Sequence, residues 1–400
     1  MSRVDSIVVP NSPAMLHTGN SVGRIASVLL QSLLLMIVGA LVVLGWRSLV
    51  VVVGVVAMHA LARRVWATIA NTRVPDWHRP SEWIAPLLVA CTLPAEAGTW
   101  AANIDGRVVA TWAIVPAAAL LLSAAQALRR VIWRPRFEPA VLTIVLLHVL
   151  IGPSLRPGSI VVRSHAMVGD ISTARVEATS TKPWPADDPE RVHDEQAVRR
   201  DSVAATLDRY LNGKSGDAAQ VAPLTLDGLL RDHLPPLDDV VVLGQAAPIG
   251  MTSVALLLVA ILHACYRGVF DARGPLVAAI TCYLIIAALP IPLVIENGVA
   301  HRRWLALLAS GIEPDVALTF VHYALLGTPV LFAIGVLANL GEVRPLRRWP
   351  RLLWSLVLGV LAGVCTILLS TTHGAYVAVL GMGAVAPLFD RLFKPRPAIR

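Results

Sequence analysis

Four histidines, His59, His148, His263 and His322, lie inside long apolar runs, where an ionisable group is costly unless it is paired. No Asp or Glu lies near the middle of any such run except Glu96, beside a break at Pro94. Histidines on facing helices can ligate haem, but no pair here has a spacing that demands it. A proton or sodium relay needs carboxylates at depth, which these runs lack. A neutral histidine bonded to a neighbouring carbonyl is the commoner use of each.

The next candidate is Pro248-Ile249-Gly250-Met251-Thr252-Ser253, at the start of an apolar run. Glycine and hydroxyl residues at a helix N-terminus offer free N–H groups at the positive end of the dipole, which suits a phosphate or an electron-rich ring. Gly250, Thr252 and Ser253 are therefore candidate cofactor contacts; an ordinary N-cap is the other use of the same residues. The four cysteines (Cys91, Cys265, Cys282 and Cys365) all fall in apolar segments without CxxC spacing, so neither a disulfide framework nor a zinc site is expected.

The elements that would position these residues are membrane spans. Of 400 residues, 56% are hydrophobic and 15% charged, against about 25% charged in a soluble domain. The mean hydropathy is +0.67. Residues 25–45 carry no charge at all, and roughly 20 apolar residues cross a bilayer core. That run lacks a small-residue cleavage site and more spans follow it, so a removable signal peptide is not expected.

Ten spans are predicted: 25–45, 47–62, 82–100, 107–128, 137–152, 250–270, 275–295, 316–341, 353–371 and 375–393. Two five-helix halves (25–152 and 249–393) then flank a polar loop at 153–248, with 1–24 and 394–400 as short ends. The expected class is all-α and polytopic, with a small outer loop domain. The net charge of +8 divides unevenly. The loop holds 10 Lys+Arg against 14 Asp+Glu, so the remainder carries the basic excess, much of it in short loops. That is the positive-inside pattern, not a nucleic-acid face. It predicts both termini in the cytoplasm and 153–248 outside, with Arg302 and Arg303 as an exception.

The third and eighth spans look alike: WIAPLLVACTLP (83–94) and FVHYALLGTPVLF (320–332) are each interrupted by proline or glycine. The fifth and tenth also end similarly. Broken spans at matching places in two inverted halves point to a central binding site. In the loop, 203–213 and 224–234 carry helical periodicity, with Gly213 as a stop, and 182–201 reads as irregular.

The motifs resemble one family. SPAMLHTGNSVGRIASVLLQSLL (12–34) looks like the start of the membrane subunits called D in the Rnf electron-transport complex and B in the sodium-pumping NADH:quinone oxidoreductase. FEPAVLTIVLL (137–147) is similar to that family's Asn-Pro-Ala segment, with Glu138 for Asn. PIGMTSVALLL (248–258) resembles its Ile-Gly-Glu-Thr-Ser segment, with Met251 for Glu. FVHYALLG (320–327) and GMGAVAPLFD (381–390) resemble two further motifs, in order along nearly the whole chain.

The resemblance implies ten spans in an inverted five-plus-five repeat, in a bacterial inner membrane with the loop periplasmic. It implies FMN on the outer side, joined through phosphate to a threonine, with a second, non-covalent flavin as a further implication. The nearest match to the attachment motif is Val176-Glu177-Ala178-Thr179, making Thr179 the attachment point. Gly250, Thr252 and Ser253 would cradle flavin, and His322 would line the central site. The chain would be a non-autonomous subunit of a redox-driven translocase. Its partners would be other membrane and peripheral subunits and the lipid bilayer, with no nucleic acid. A transporter or channel without a redox centre, or a cofactor-free assembly subunit, is the alternative.

Overall fold

The computed structural model describes residues 22–69, 80–98, 102–104, 107–109, 113–131, 138–152, 158–162, 197–212, 224–242, 247–296, 299–304, 314–341, 343–345 and 348–392. Over these residues the protein is mostly helical. Two long apolar helices come first, α1 (Val22–Leu44) and α2 (Trp46–Ile69), turned at Gly45, whose φ of 73° disfavours a side chain. Then follow α3 (Ser81–Cys91), the hairpin β1 (Ala102–Ile104) and β2 (Arg107–Val109), α4 (Ile114–Val131) and α5 (Pro139–Ile151). The central segment holds the paired strands β3 (Gly158–Val162) and β4 (Ala197–Asp201), then α6 (Val203–Leu211) and β5 (Leu224–Thr225). The second half runs α7 (Val254–Tyr266), α8 (Arg273–Ala288), β6 (Ile291–Glu296), β7 (Val299–Arg303), α9 (Pro314–Leu326), α10 (Val330–Gly335), α11 (Arg348–Leu368) and α12 (Gly374–Leu392).

Four helices, α1, α2, α11 and α12, are long and apolar enough to cross a membrane. A fifth is formed by α9 and the chain from Val330 to Asn339, bent by 53° at the intervening break. The apolar helices α3, α4, α5, α7 and α8 are shorter and fall in the other five predicted runs. Two of those runs end differently from expectation. Residues 107–109 pair with 102–104, so helix begins only at Ile114. Residues 291–296 leave the helix for a strand after Leu289-Pro290, because proline lacks the N–H that a helix interior needs.

That strand accounts for the two outlying arginines. β5, β6 and β7 form an antiparallel sheet in that order, so Arg302 and Arg303 belong to a folded unit built with part of the polar loop. Arg302 Nη2 donates to Leu211 O at 2.6 Å, capping the C-terminal end of α6. The helix predicted at 203–213 stops at Leu211 with Asn212 as its cap; Gly213 lies outside the described residues. The other predicted helix resolves into short turns at Leu226–Gly228 and Leu229–His233. Residues 197–201, read as irregular, form β4 because 158–162 supplies a partner strand.

Helix α6 sits on the second half. Its buried Asp208 accepts from Ser370 Oγ at 2.8 Å and Thr371 N at 3.3 Å. Thr371 Oγ1 donates to Ala204 O at 2.5 Å, and Tyr210 OH to Pro292 O at 2.9 Å. Burial pushes the Tyr210 phenol above its usual range, so it remains a donor. Among the loops, Arg351 pairs with Asp271 at 3.4 Å, and Arg344 donates to Val269 O at 3.2 Å. Burial, then Arg351, pulls the Arg344 guanidinium down to about 10, which leaves it charged at neutral pH.

Glycines bring α8 and α11 into close contact. Gly359 and Gly363, a GxxxG pair, let α11 lie against Ala278, Cys282 and Ile285 of α8. A Cβ at position 359 would stand 2.5 Å from Ala278 O and 2.8 Å from Thr281 Cβ. Gly359→Val should therefore cost about 1–3 kcal/mol of stability, read as a lower thermal unfolding midpoint in detergent. Gly381→Ala, where an added Cβ meets nothing within 4 Å, should leave the midpoint unchanged or raise it slightly.

Candidate functional site

Two helices break beside a proline, which cannot supply the next N–H, and at each break a threonine hydroxyl bonds a carbonyl of the turn before it. At the end of α3, Thr92 Oγ1 donates to Val89 O at 2.8 Å, alongside Thr92 N at 3.0 Å, just before Pro94. At the end of α9, Thr328 Oγ1 donates to Ala324 O at 2.5 Å, just before Pro329. Asn339 does the same beyond α10, where its Nδ2 donates to Ile334 O at 2.9 Å and Gly335 O at 3.1 Å.

Gly250 lies between the two broken elements. It sits in a short turn, Ile249–Met251, ahead of α7. Ile249 N donates to Leu93 O at 3.0 Å, pairing the broken end of α3 with the beginning of the second half. A Cβ on Gly250 would come 2.8 Å from Cys91 Cβ, 3.1 Å from Cys91 O and 3.3 Å from Phe332 Cε2 on α10. Only glycine allows this approach without displacing a neighbour. The predicted Gly250 is thus where the two broken elements meet, in contact with protein on both sides.

The other predicted residues are placed as follows. Ser253 caps α7: its Oγ accepts from Leu256 N at 3.3 Å and donates to Val242 O. Thr252 is buried beside it. His322 bonds back to Leu318 O at 2.8 Å, and its ring lies 5.6 Å from Tyr283 of α8. Thr179 lies outside the described residues. Its neighbours Glu177 and Ala178 do too.

These placements bear on the fit of a flavin at 250–253. The Ser253 hydroxyl is spent on the helix cap, and Gly250 is packed against Cys91 and Phe332. The described residues here therefore offer a hinge between helices, not an open phosphate cradle. Among the described residues, no three His, Cys, Asp or Glu side chains come together as a metal site.

A cluster that sequence inspection missed lies next to the hinge. His148 of α5 faces Tyr376 of α12 with ring centroids 5.2 Å apart, and His373 with centroids 6.4 Å apart. The Tyr376 hydroxyl reaches Met251 Sδ at 3.8 Å. The signal was present in the paired fifth and tenth spans, but His373 stands just ahead of its run and drew no notice. His148 bonds to Ile144 O at 2.8 Å, and His59 Nδ1 lies 3.1 Å from Ser123 Oγ. His148 and His322 thus each bond a carbonyl of the preceding turn, whereas His59 lies against a hydroxyl of α4.

The chain matches no family model and no curated protein. What the structure defines is a helical protein with four or five membrane-competent helices and a hinge where two broken segments converge. Gly250→Ala should lower the thermal midpoint, at a cost of about 1–3 kcal/mol. In a Cys91→Gly background, which lacks the nearest obstructing atom, the further cost of Gly250→Ala should be smaller, as a double-mutant cycle would show. An equal cost in both backgrounds would show that this contact does not set the packing.

Proposed function

We propose that the chain is a flavin-binding membrane subunit of an ion-translocating electron-transport complex of the Rnf or Nqr kind. It has ten spans in two inverted halves, both termini in the cytoplasm of a bacterial inner membrane, and 153–248 on the periplasmic side. The observation that carries this is the ordered series of motifs at 12–34, 137–147, 248–258, 320–327 and 381–390. One contact supports it: the two broken elements, expected at a central site from the inverted pattern, come together at Gly250 within the 248–258 motif.

On this reading Thr179 carries FMN, which supplies one-electron chemistry between partner subunits when bound. The chain itself has no NAD-binding fingerprint and no iron–sulfur cysteine cluster, so partners provide the point of electron entry. On the same reading Gly250, Thr252 and Ser253 would contact a second, non-covalent flavin, and His322 would line the central site. A second reading, a transporter or cofactor-free assembly subunit on the same scaffold, is favoured by one observation. Gly250 and Ser253 are already occupied by protein contacts.

The absorption spectrum of the purified protein separates the two. A yellow protein with in-gel fluorescence after denaturation, lost in Thr179→Val while the chain stays in the membrane, supports the flavin subunit. A colourless protein, even with a flavinylating enzyme co-expressed, leaves the second reading. Topology is tested with single cysteines at Asp238, which is exposed, and at Ala398, in a cysteine-free background. An impermeant maleimide applied to cells with an opened outer envelope should label position 238 and not 398. Labelling at 398 alone reverses the orientation.

A further inference from the structure

The turn between α11 and α12 reads Ser370-Thr371-Thr372-His373, three hydroxyls followed by an imidazole. It joins two groups already described, the buried Asp208 of α6 and the ring cluster of His148 and Tyr376. Ser370 Oγ lies 2.8 Å from Asp208 Oδ1 and 2.8 Å from Thr372 Oγ1. Thr372 Oγ1 in turn lies 3.1 Å from His373 Nδ1. Asp208 and Ser370 are buried, whereas Thr372 and His373 are half-buried. The fold thus brings a carboxylate from the polar segment to the start of α12.

Proton counting fixes the direction of these bonds. A carboxylate only accepts, and each hydroxyl has one proton to give. Ser370 gives its proton to Asp208 Oδ1, which also accepts from Thr371 N at 3.3 Å. Ser370 Oγ must then accept from Thr372 Oγ1, as it does from Thr372 N at 3.2 Å. That uses the single hydroxyl proton of Thr372, so Thr372 Oγ1 accepts from His373 and Nδ1 carries hydrogen. The proton-accepting nitrogen of a neutral His373 is therefore Nε2, because the bond made by one ring nitrogen sets the role of the other. Every bond from imidazole to carboxylate points the same way.

We propose that His373, Thr372, Ser370 and Asp208 form a proton-transfer chain between the start of α12 and α6. A proton taken from water at Nε2 makes an imidazolium. His373 then gives its Nδ1 proton to Thr372, as Thr372 gives its own to Ser370 and Ser370 to Asp208. An imidazolium and a carboxylate become a neutral imidazole, now protonated on Nε2, and a carboxylic acid, so protons and charge balance. Among the described residues, His148 of α5 faces His373, and Tyr376 of α12 faces His148 in turn. His148 Nδ1 donates to Ile144 O, so Nε2 is its accepting nitrogen as well. The charged group that reaches α6 from the sheet is Arg302, at Leu211 O. The chain goes beyond the flavin reading and needs neither flavin nor a partner subunit.

The test uses the full chain with isotope-labelled histidine, reconstituted in lipid bilayers and read by solid-state nitrogen NMR. His373, assigned by the signals missing from His373→Gln, should in its neutral form be protonated on Nδ1 and not on Nε2. Thr372→Val should move that hydrogen to Nε2, and Thr372→Ser should keep it on Nδ1. Transfer itself is read by infrared after an acid jump, through the carboxylic-acid C=O band that Asp208→Asn removes. That band should grow about tenfold more slowly in Thr372→Val than in the native chain or in Thr372→Ser. A native His373 protonated on Nε2 alone, no Asp208 band on acidification, or equal rates in Thr372→Val and the native chain overturns the proposal. The native-chain measurements decide it even where Thr372→Val does not fold. None of these outcomes bears on flavin, which the absorption spectrum tests.

Discussion

The structure depends on how broken helices satisfy their backbone inside an apolar interior. An unpaired amide or carbonyl buried among apolar side chains costs a few kcal/mol, and two of the apolar segments break beside a proline that cannot donate. At each break a threonine hydroxyl, that of Thr92 or Thr328, bonds a carbonyl of the turn before it, and at one of them Ile249 N reaches across to Leu93 O. That long-range bond ties the start of the second half to the end of α3. It also places Gly250 where no side chain fits. The hinge is a consequence of backbone accounting before it is anything chemical.

A second set of contacts fixes the polar segment onto this frame. The buried Asp208 and the Thr371 hydroxyl hold α6 to the chain just before α12. Val203, at the start of α6, lies against Gly327 in the break between α9 and α10. The break is therefore covered from the polar side as well as packed from within. The polar segment's own small sheet, β5 to β7, takes in the two arginines that looked misplaced along the chain.

The molecule divides its surfaces by purpose. The interface of α8 and α11 is closed by glycines, because bare backbone packs closely. The flank of α2 and α4 instead carries large apolar residues, Leu61, Val65 and Leu120, each at least half exposed, beside the Arg63–Gln126 contact.

Much of the frame was legible from the sequence. Uncharged runs and their punctuating prolines located every long helix, the broken pair at Gly327–Pro329 and the stop at Pro94. The Gly250 position was also marked, by a Gly-Thr-Ser run at a helix start. What the sequence could not decide was what that run faces. Ser253 serves as a plain cap and Gly250 as a close packing contact because Cys91 and Phe332, far away in the chain, arrive beside them. The strands at 102–109 and 291–303 were likewise hidden, since an apolar run becomes a strand only when a partner edge is available. Hydropathy and local hydrogen-bonding capacity are properties of residues and can be read in order along the chain. Which groups become neighbours depends on how distant segments share one interior, and only the tertiary structure decides that.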